Sequence, residues 1–141
     1  MLNLDPRLYV DPAVLPRERD AIFSRTWQLL GPAAQVAERG AYVAADLAGL
    51  KVFAIRGRDG RLRAFRNVCR HRGAKLLEDG AGRCATIRCP YHQWVFADDG
   101  RLLNAPWFGE EPGFRPEDWP LIAALRLAAL FFLARIDVDL P

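Results

Sequence analysis

Two short stretches of the sequence each place a cysteine close to a histidine. Cys69 and His71 form a C-x-H pair, and Cys89 and His92 form a C-x2-H pair, with seventeen residues between His71 and Cys89. The chain has only two histidines, and both belong to these pairs. Thiolate and imidazole are common metal ligands in proteins. Two loops that face each other would therefore supply two sulfur and two nitrogen donors to one metal centre.

Three interpretations of these four residues compete. A [2Fe–2S] cluster in which two histidines replace two cysteines on one iron requires this set of donors. A Cys2His2 zinc site uses the same residue types, but zinc ligands within a pair are usually about two to five residues apart, and C-x-H is tighter. A disulfide between Cys69 and Cys89 would leave both histidines unexplained. The sequence favours the cluster, and a structural zinc module that binds other proteins is the remote alternative.

The residues around the donors are more specific than the donors alone. Residues 67–74 read NVCRHRGA and residues 89–94 read CPYHQW, and both resemble the Rieske domain of ring-hydroxylating oxygenase large subunits. That family usually has glycine where this chain has Gln93. The resemblance implies a Rieske [2Fe–2S] cluster whose ligands are Cys69, His71, Cys89 and His92. The residues that lie beside these ligands in the sequence and complete the predicted site are Arg70, Arg72, Tyr91 and Trp94.

The resemblance also implies a function, the electron-entry domain of a Rieske non-haem iron oxygenase that hydroxylates aromatic rings or quaternary amines. Such a domain receives electrons from a reductase or ferredoxin. It passes them to a mononuclear iron in a catalytic domain or neighbouring subunit, and a homo-oligomer is compatible with this role. That iron is held by two histidines and a carboxylate, and both histidines of this chain are already used. We therefore interpret the chain as an oxidoreductase component of a mono- or dioxygenase, without a catalytic iron site of its own.

A free-standing Rieske-type ferredoxin is the alternative function. The chain length favours it. The N-terminal arm and helix favour the oxygenase instead, since they resemble the large subunits and not the compact ferredoxins.

The resemblance also bears on the reduction potential. Rieske proteins of respiratory complexes carry one further cysteine in each loop, and the matching positions here are Ala74 and Tyr91. Those proteins also place hydroxyl groups near the cluster, where this chain offers Trp94 and Phe96. We therefore expect a potential in the lower part of the Rieske range, roughly −150 to 0 mV.

The composition indicates one globular domain. The 141 residues are 51% hydrophobic and 26% charged, the balance of an ordinary folded protein. The odd number of cysteines argues against a disulfide framework, and we interpret Cys84 as a small buried side chain. A net charge of +3 is too small to suggest nucleic-acid binding. Residues 1–7 show no secretory signal, and the apolar run 121–136 is too short to span a bilayer, so we expect a cytoplasmic protein without a membrane partner.

The rest of the sequence predicts the scaffold. Residues 1–32 indicate an arm followed by a helix. The helix is predicted to begin near Pro16, because proline suits the first helical position, and to end at residues 31–32. Residues 33–141 indicate the Rieske domain, an all-β antiparallel sandwich or small barrel with the two loops at one end. Asp59-Gly60 and Asp99-Gly100 predict hairpin turns. The predicted strands are 42–47, 51–56, 62–68, 84–88, 95–96, 101–103, 121–127 and 130–136.

Two features next to the ligands have more than one interpretation. Arg70, Arg72 and Arg88 are either solvated or ion-paired with nearby carboxylates (Glu78, Asp79 or Asp98), or else they serve partner docking or the electrostatics of the cluster. For Trp94 we favour packing over the cluster and not electron conduction.

Overall fold

The computed structural model describes residues 4–23, 25–26, 28–47, 49–108, 110–124 and 127–128. Its N-terminal part contains a 3-10 turn (Pro6–Tyr9), helix α1 (Val14–Glu18) and a π-helical turn (Arg19–Phe23) that follows α1 directly. Two further 3-10 turns lie at Ala33–Val36 and Pro116–Asp118. The strands are β1 Gln28–Leu29, β2 Ala41–Leu47, β3 Leu50–Arg56, β4 Leu62–Arg66, β5 Gly80–Arg83, β6 Ile87–Arg88, β7 Val95–Phe96, β8 Leu102–Asn104 and β9 Leu127–Ala128.

The strands form two antiparallel sheets, as the sequence predicts, and one short parallel pair. The larger sheet has the order β4-β3-β2-β5, and the smaller sheet has the order β6-β7-β8. Strands β1 and β9 pair in parallel over two residues. The fold is therefore mainly β with a short N-terminal helix.

Side chains that alternate between the two faces of each strand form the hydrophobic core. Phe53 and Ile55 of β3 belong to one hydrophobic cluster, which also contains Ile87 and Phe96 of the smaller sheet. Ala54, between them in sequence, belongs to a second cluster on the other side of the sheet. Successive side chains of a strand point to opposite faces. The main core therefore joins the two sheets, and both predicted ligand cysteines belong to it.

The two predicted hairpins are confirmed. Strands β3 and β4 pair across the turn that contains Asp59-Gly60, and β7 and β8 pair across the turn that contains Asp99-Gly100. Gly60 and Gly100 have φ angles of +80° and +90°. Such angles are uncommon for residues with a Cβ atom.

The predicted strand 84–88 is wrong as a single element. The chain forms β5 at Gly80–Arg83 and the two-residue β6 at Ile87–Arg88. Glycine has a low β propensity, so the local sequence gives little sign of β5. Gly82 is nevertheless required there, because a Cβ atom at this position would lie 2.5 Å from the ring of Tyr42 on the neighbouring strand. Cys84, which the sequence predicts to be buried, lies just after β5 and is only half-buried, packed against the main core.

The helix begins two residues earlier than the sequence predicts, at Val14. Pro16 is its third residue, a position in the first turn where the missing N–H would have no intrahelical partner. The predicted end at residues 31–32 is wrong, since α1 ends at Glu18 and the π-helical turn ends at Phe23. Gln28–Leu29 instead form β1, which pairs with a distant part of the chain that local sequence does not reveal.

The predicted C-terminal strands are described only in part. Residues 121–127 contribute one bridge, between Phe65 and Ala123, and the first residue of β9, while strand 130–136 lies outside the described residues. Among the residues that are described, there is no helix of the length and hydrophobicity needed to cross a bilayer.

Candidate metal centre

The two ligand loops have the same backbone hydrogen-bond pattern. In the first loop the N–H of Cys69 donates to the carbonyl of Ala74 over 2.7 Å, and in the second the N–H of Cys89 donates to the carbonyl of Trp94 over 2.8 Å. Loop one follows β4, and loop two connects β6 to β7. Each histidine therefore lies inside a closed turn that begins at its own cysteine.

A residue with a left-handed backbone conformation closes each turn. Gly73 has a φ of +72° and donates its N–H to the carbonyl of Cys69 over 2.9 Å. Gln93 has a φ of +59° and donates its N–H to the carbonyl of Cys89 over 3.2 Å. Gln93 thus adopts the conformation that glycine adopts in loop one, although the left-handed conformation costs a residue with a Cβ atom about 1–2 kcal/mol.

Substitutions at these two positions are expected to change stability in opposite directions. Gly73→Ala should lower the free energy of unfolding by about 1 kcal/mol, since no atom lies within 4 Å of the added Cβ and only the backbone cost remains. Gln93→Gly should raise it by up to about 1 kcal/mol by removing the same cost. Urea unfolding of both variants measures these shifts. Two shifts of the same sign would contradict the equivalence of the loops.

The four predicted ligands converge as two like pairs. The thiol of Cys89 lies close enough to that of Cys69 to contribute to its raised pKa, and both residues are buried and not bonded as a disulfide. The imidazole rings of His71 and His92 lie 4.6 Å apart between centroids, edge to face. Within the described part of the chain, no three or more histidine, cysteine, aspartate or glutamate side chains are grouped as they would be around one metal ion. The arrangement pairs sulfur with sulfur and nitrogen with nitrogen.

The chemistry of these donors fits a metal cluster. Nδ1 of His71 is buried without a hydrogen-bond partner, which is costly for a polar atom and is expected of an atom that binds metal. Burial, followed by the charge of His92 and that of Arg72, lowers the pKa of His71, so the ring stays in its neutral, ligating form. Burial also raises the pKa of Cys69 to about 11. A bound metal deprotonates such a thiol.

An aromatic layer covers the imidazole of loop one. The ring of Trp94 stacks on that of His71 with centroids 5.0 Å apart and planes within 8°, and Trp94 is only 1% exposed. Phe108 contacts the same imidazole at 4.9 Å, edge to face. Phe114 and Trp119 pack against Trp94 at 5.9 and 5.7 Å. The layer excludes water from one side of the site, and sequence reasoning identified only Trp94 of its members.

The other residues beside the ligands lie nearer the surface. Tyr91 is exposed, and its ring lies 3.8 Å from that of His92. The guanidinium of Arg70 lies 5.7 Å above the ring of Trp119, a cation–π contact. Arg72 and Arg88 are exposed. These side chains surround the site without entering the core.

The carboxylates that the sequence offers to these arginines form other ion pairs. Glu78 and Asp79 both bind the ammonium of Lys75, at 3.2 and 3.1 Å. Asp98 lies 3.9 Å from the guanidinium of Arg58. Ion pairing with these carboxylates therefore does not account for the arginines of the two loops.

Asn67 is a site residue that the sequence analysis did not select. It is fully buried, and its side-chain carbonyl accepts the N–H groups of Leu76 and Leu77 over 3.2 and 2.9 Å. Its side-chain amide donates to the carbonyl of Leu77 over 2.7 Å, and its backbone N–H donates to the carbonyl of Lys51 over 2.8 Å. Asn67 therefore joins the segment before Cys69 to the segment that leaves loop one.

Asn67→Leu is expected to lower the free energy of unfolding by about 3 kcal/mol or more. The reason is that three buried backbone groups lose their partner, at roughly 1–3 kcal/mol for each group. Urea unfolding measures the loss, and Asn104→Leu, at an exposed position, is the control and should change stability by less than about 0.5 kcal/mol. Equal effects of the two variants would show that the Asn67 bonds contribute little.

Comparison with known proteins gives a consistent assignment. The chain matches the Rieske [2Fe–2S] domain family over residues 26–115. The α subunit of biphenyl 2,3-dioxygenase from Rhodococcus jostii (strain RHA1) is 36% identical over 142 residues, which cover 99% of this chain and 31% of that subunit. The glycine betaine monooxygenase oxygenase subunit from Chromohalobacter salexigens is 37% identical over 119 residues, which cover 84% of this chain and 25% of that subunit.

Solved structures give the same result. The apo form of the quaternary ammonium Rieske monooxygenase CntA matches with a TM-score of 0.76 and 35% identity, over 83% of this chain and 34% of that one. Naphthalene 1,2-dioxygenase matches with a TM-score of 0.75 and 31% identity, over 82% of this chain and 26% of that one. The chain spans between a quarter and about a third of the length of these relatives. By its fold, its paired donors and its match over residues 26–115, the chain belongs to the Rieske [2Fe–2S] domain family and binds that cluster.

Proposed function

We propose that the thiolates of Cys69 and Cys89 hold one iron of the cluster and the imidazoles of His71 and His92 hold the other. The observation that carries this assignment is the pairing of like donors across the two loops, thiol with thiol and imidazole with imidazole at 4.6 Å. A Rieske cluster needs its four ligands divided between the irons in this way.

We propose further that the domain is the electron-entry domain of a Rieske non-haem iron oxygenase. The relatives that match most of this chain are subunits of dioxygenases and monooxygenases, which favours this role over a free-standing ferredoxin. When bound, the cluster accepts and gives one electron at a time. The names of these relatives point to biphenyl and to glycine betaine, so an aromatic compound or a quaternary amine is the substrate class that we propose for the whole enzyme.

The cysteine pair and the histidine pair of the site differ in their exposure to solvent. Cys69 and Cys89 are buried in the main core, so the protein encloses the sulfur-ligated side. His71 and His92 are half-buried, and the imidazole pair is therefore the part of the site nearest to solvent. Neutral imidazoles in place of thiolates raise the reduction potential. Electrons should enter and leave on this histidine side.

The proposed partners follow from this role. They are a reductase or ferredoxin that donates electrons, and a catalytic domain or subunit with a non-haem iron that accepts them, in an assembly that includes homo-oligomers. We propose a cytoplasmic location as well, since an odd number of cysteines, two of them proposed metal ligands, does not indicate the disulfide framework of a secreted protein. We also propose the division into an arm and helix, residues 1–32, and a Rieske domain, residues 33–141. No residue of the elements within 6–23 is buried, which supports this boundary.

Spectroscopy of the protein reduced under anaerobic conditions tests the proposal. We expect a red-brown protein with a rhombic EPR signal after one-electron reduction and a potential of roughly −150 to 0 mV. Trp94 and Phe96 are both buried and carry no hydroxyl group that could raise this value. A colourless protein with one equivalent of zinc would refute the cluster assignment. A rhombic signal with a potential near +300 mV would leave the ligands in place and contradict the assignment to the oxygenase subclass.

A further inference from the structure

Residues 106–120, which we call the covering segment, cross the surface of the domain between two fixed points. Ala105 and Leu121 are buried in the main core, and the N–H of Leu121 donates to the carbonyl of Gly100 over 2.8 Å. None of the described residues between them, 106–108 and 110–120, is buried. The segment is therefore fixed at its ends and lies on the surface in between.

The backbone of the covering segment is bonded locally. Among its described residues, every backbone hydrogen bond joins an N–H to the carbonyl three positions earlier. The donors are Phe108, Glu111, Phe114, Asp118 and Trp119, at 3.0–3.1 Å. The ion pairs of Arg115, with Glu117 and Asp118, are local as well. Within the described residues, no hydrogen bond or ion pair ties the segment to either sheet.

Three aromatic side chains hold the covering segment against the site instead. Phe108 contacts the ring of His71, with centroids 4.9 Å apart. Phe114 and Trp119 contact the ring of Trp94 at 5.9 and 5.7 Å, and they stack on each other at 6.0 Å. Side-chain packing therefore keeps the segment in place.

One further contact joins the covering segment to loop one. The guanidinium of Arg70, between the two ligands of that loop, lies 5.7 Å above the ring of Trp119. Trp119 thus contacts a residue from each ligand loop, Arg70 and Trp94. Its ring is the contact whose loss should loosen the segment most.

The ligand loops are held by more hydrogen bonds than the covering segment. Loop one is closed by the bond from Cys69 to Ala74, and the Asn67 side chain ties it to the chain that follows. Loop two connects β6 and β7, which pair with each other. Parts of a protein with few protected hydrogen bonds and few buried contacts open most readily. Of the three parts of the chain that meet at the site, the covering segment is therefore the one that opens.

The closed conformation of the covering segment also contains a strained residue. Trp107 has a φ of +66°, a conformation that is rare for a bulky residue. Its side chain is 78% exposed, so its own packing does not offset the strain. Such strain persists only where surrounding contacts hold it, and opening of the segment would release it.

The proposed ligand atoms cannot be reached from solvent while the covering segment is closed. Cys69 is 3% exposed and Cys89 is 1% exposed, and Nδ1 of His71 is buried. A [2Fe–2S] cluster is larger than any gap that leaves these atoms so inaccessible. Part of the domain must therefore move before a cluster can reach them.

We propose that the covering segment is a flap that opens to give the cluster access to its ligands and then closes over it. The proposal rests on the proposed function, because a flap of this kind matters only if a cluster is bound. Entry is an exchange of ligands without a change in oxidation state. A cluster held by four thiolates of a carrier gives up those thiolates. Cys69 and Cys89 lose two thiol protons and bind one iron, and the two imidazoles bind the other.

Loss of the cluster to a chelator measures the opening, because release uses the same path as entry. The oxidised protein with its cluster is mixed with excess EDTA or excess desferrioxamine, and the bleaching of its visible absorbance is followed. Trp119→Ala removes the ring that contacts Trp94 and Arg70. It should accelerate bleaching about tenfold or more, by the same factor with both chelators, because opening precedes the reaction with either one.

Trp119→Phe is the conservative variant. It keeps an aromatic ring at this position, and its bleaching rate should stay within about threefold of the wild-type rate. The EPR signals of the reduced variants at position 119 should match that of the wild type, because no ligand is changed. An altered signal in Trp119→Ala would show that the substitution disturbs the ligands themselves and would overturn the flap as the cause of faster bleaching.

Two controls separate opening of the flap from loosening of the whole domain. Tyr9→Ala removes an aromatic ring that is 76% exposed in the N-terminal arm, and it should change the bleaching rate by less than about twofold. Cys84 reports on the rest of the domain, since it is half-buried and lies outside the ligand loops and the covering segment. Its alkylation by N-ethylmaleimide, measured by mass spectrometry, should be equally fast in Trp119→Ala and the wild type.

The outcomes distinguish the flap from the proposed function. A wild-type protein without a rhombic EPR signal would refute the proposed function itself. A normal signal with equal bleaching rates for Trp119→Ala and the wild type would refute the flap alone. Alkylation of Cys84 that accelerates by the same factor as bleaching would also overturn the flap, because the whole domain would then be opening.

Discussion

Cys69→Ala is expected to give a folded protein that does not assemble the cluster, with an iron content that falls about tenfold or more. Cys69 is one of only two buried thiols, and its Sγ interacts with that of Cys89. Alanine offers no donor in its place, so one iron would keep a single protein ligand. Iron analysis and the visible spectrum of the purified variant measure the loss.

Cys89→Ala should have the same effect, because the two thiols are equivalent in the proposed ligand set. Cys84→Ser is the control. Cys84 is a third thiol in the same domain, but it is half-buried just after β5 and lies outside the two ligand loops. Its substitution should leave the spectrum and the iron content unchanged. A normal cluster in either alanine variant would remove that cysteine from the ligand list.

His92→Cys is expected to keep a cluster and to lower its reduction potential by roughly 100–300 mV, toward the value near −400 mV of all-cysteine plant-type clusters. A thiolate adds negative charge to the iron that it binds, and this makes the iron harder to reduce. A neutral imidazole adds no such charge. Position 92 suits the substitution better than position 71. The ring of His71 packs against both Trp94 and Phe108, and a smaller side chain there would open a cavity. The ring of His92 lies against the exposed Tyr91.

A redox titration followed by EPR measures the shift. Tyr91→Phe is the matched control, since it keeps the ring beside His92 and changes no ligand. The reduction potential of this variant should stay within a few tens of millivolts of the wild-type potential. Such a shift changes the equilibrium constant for one-electron reduction by roughly tenfold or less. A variant at position 92 with the wild-type potential and an intact rhombic signal would show that His92 does not bind the cluster.

Residue types and local patterns predicted much of this domain. Cys69, His71, Cys89 and His92 could be selected because these side chains have few structural roles in such close pairs. Strands β2, β3, β4, β7 and β8 were predicted because alternating hydrophobic residues and Asp-Gly turns act over short distances along the chain. Strand β5 was missed because its stability comes from pairing with β2 and not from the propensity of Gly80–Arg83.

The tertiary structure alone decided features that depend on residues far apart in sequence. Asn67 stabilises loop one because the backbone N–H groups of Leu76 and Leu77 donate hydrogen bonds to its side chain. Glu78, Asp79 and Asp98 pair with Lys75 and Arg58 and not with the arginines beside the predicted ligands. Gln93 takes a left-handed conformation that its residue type disfavours. The sequence by itself therefore determined which side chains can donate to a metal and supports their proposal as cluster ligands, since donor chemistry belongs to the residue. Only the fold decided which residues hold, cover and surround those atoms, because burial, hydrogen bonding and charge pairing are properties of contacts between distant parts of the chain.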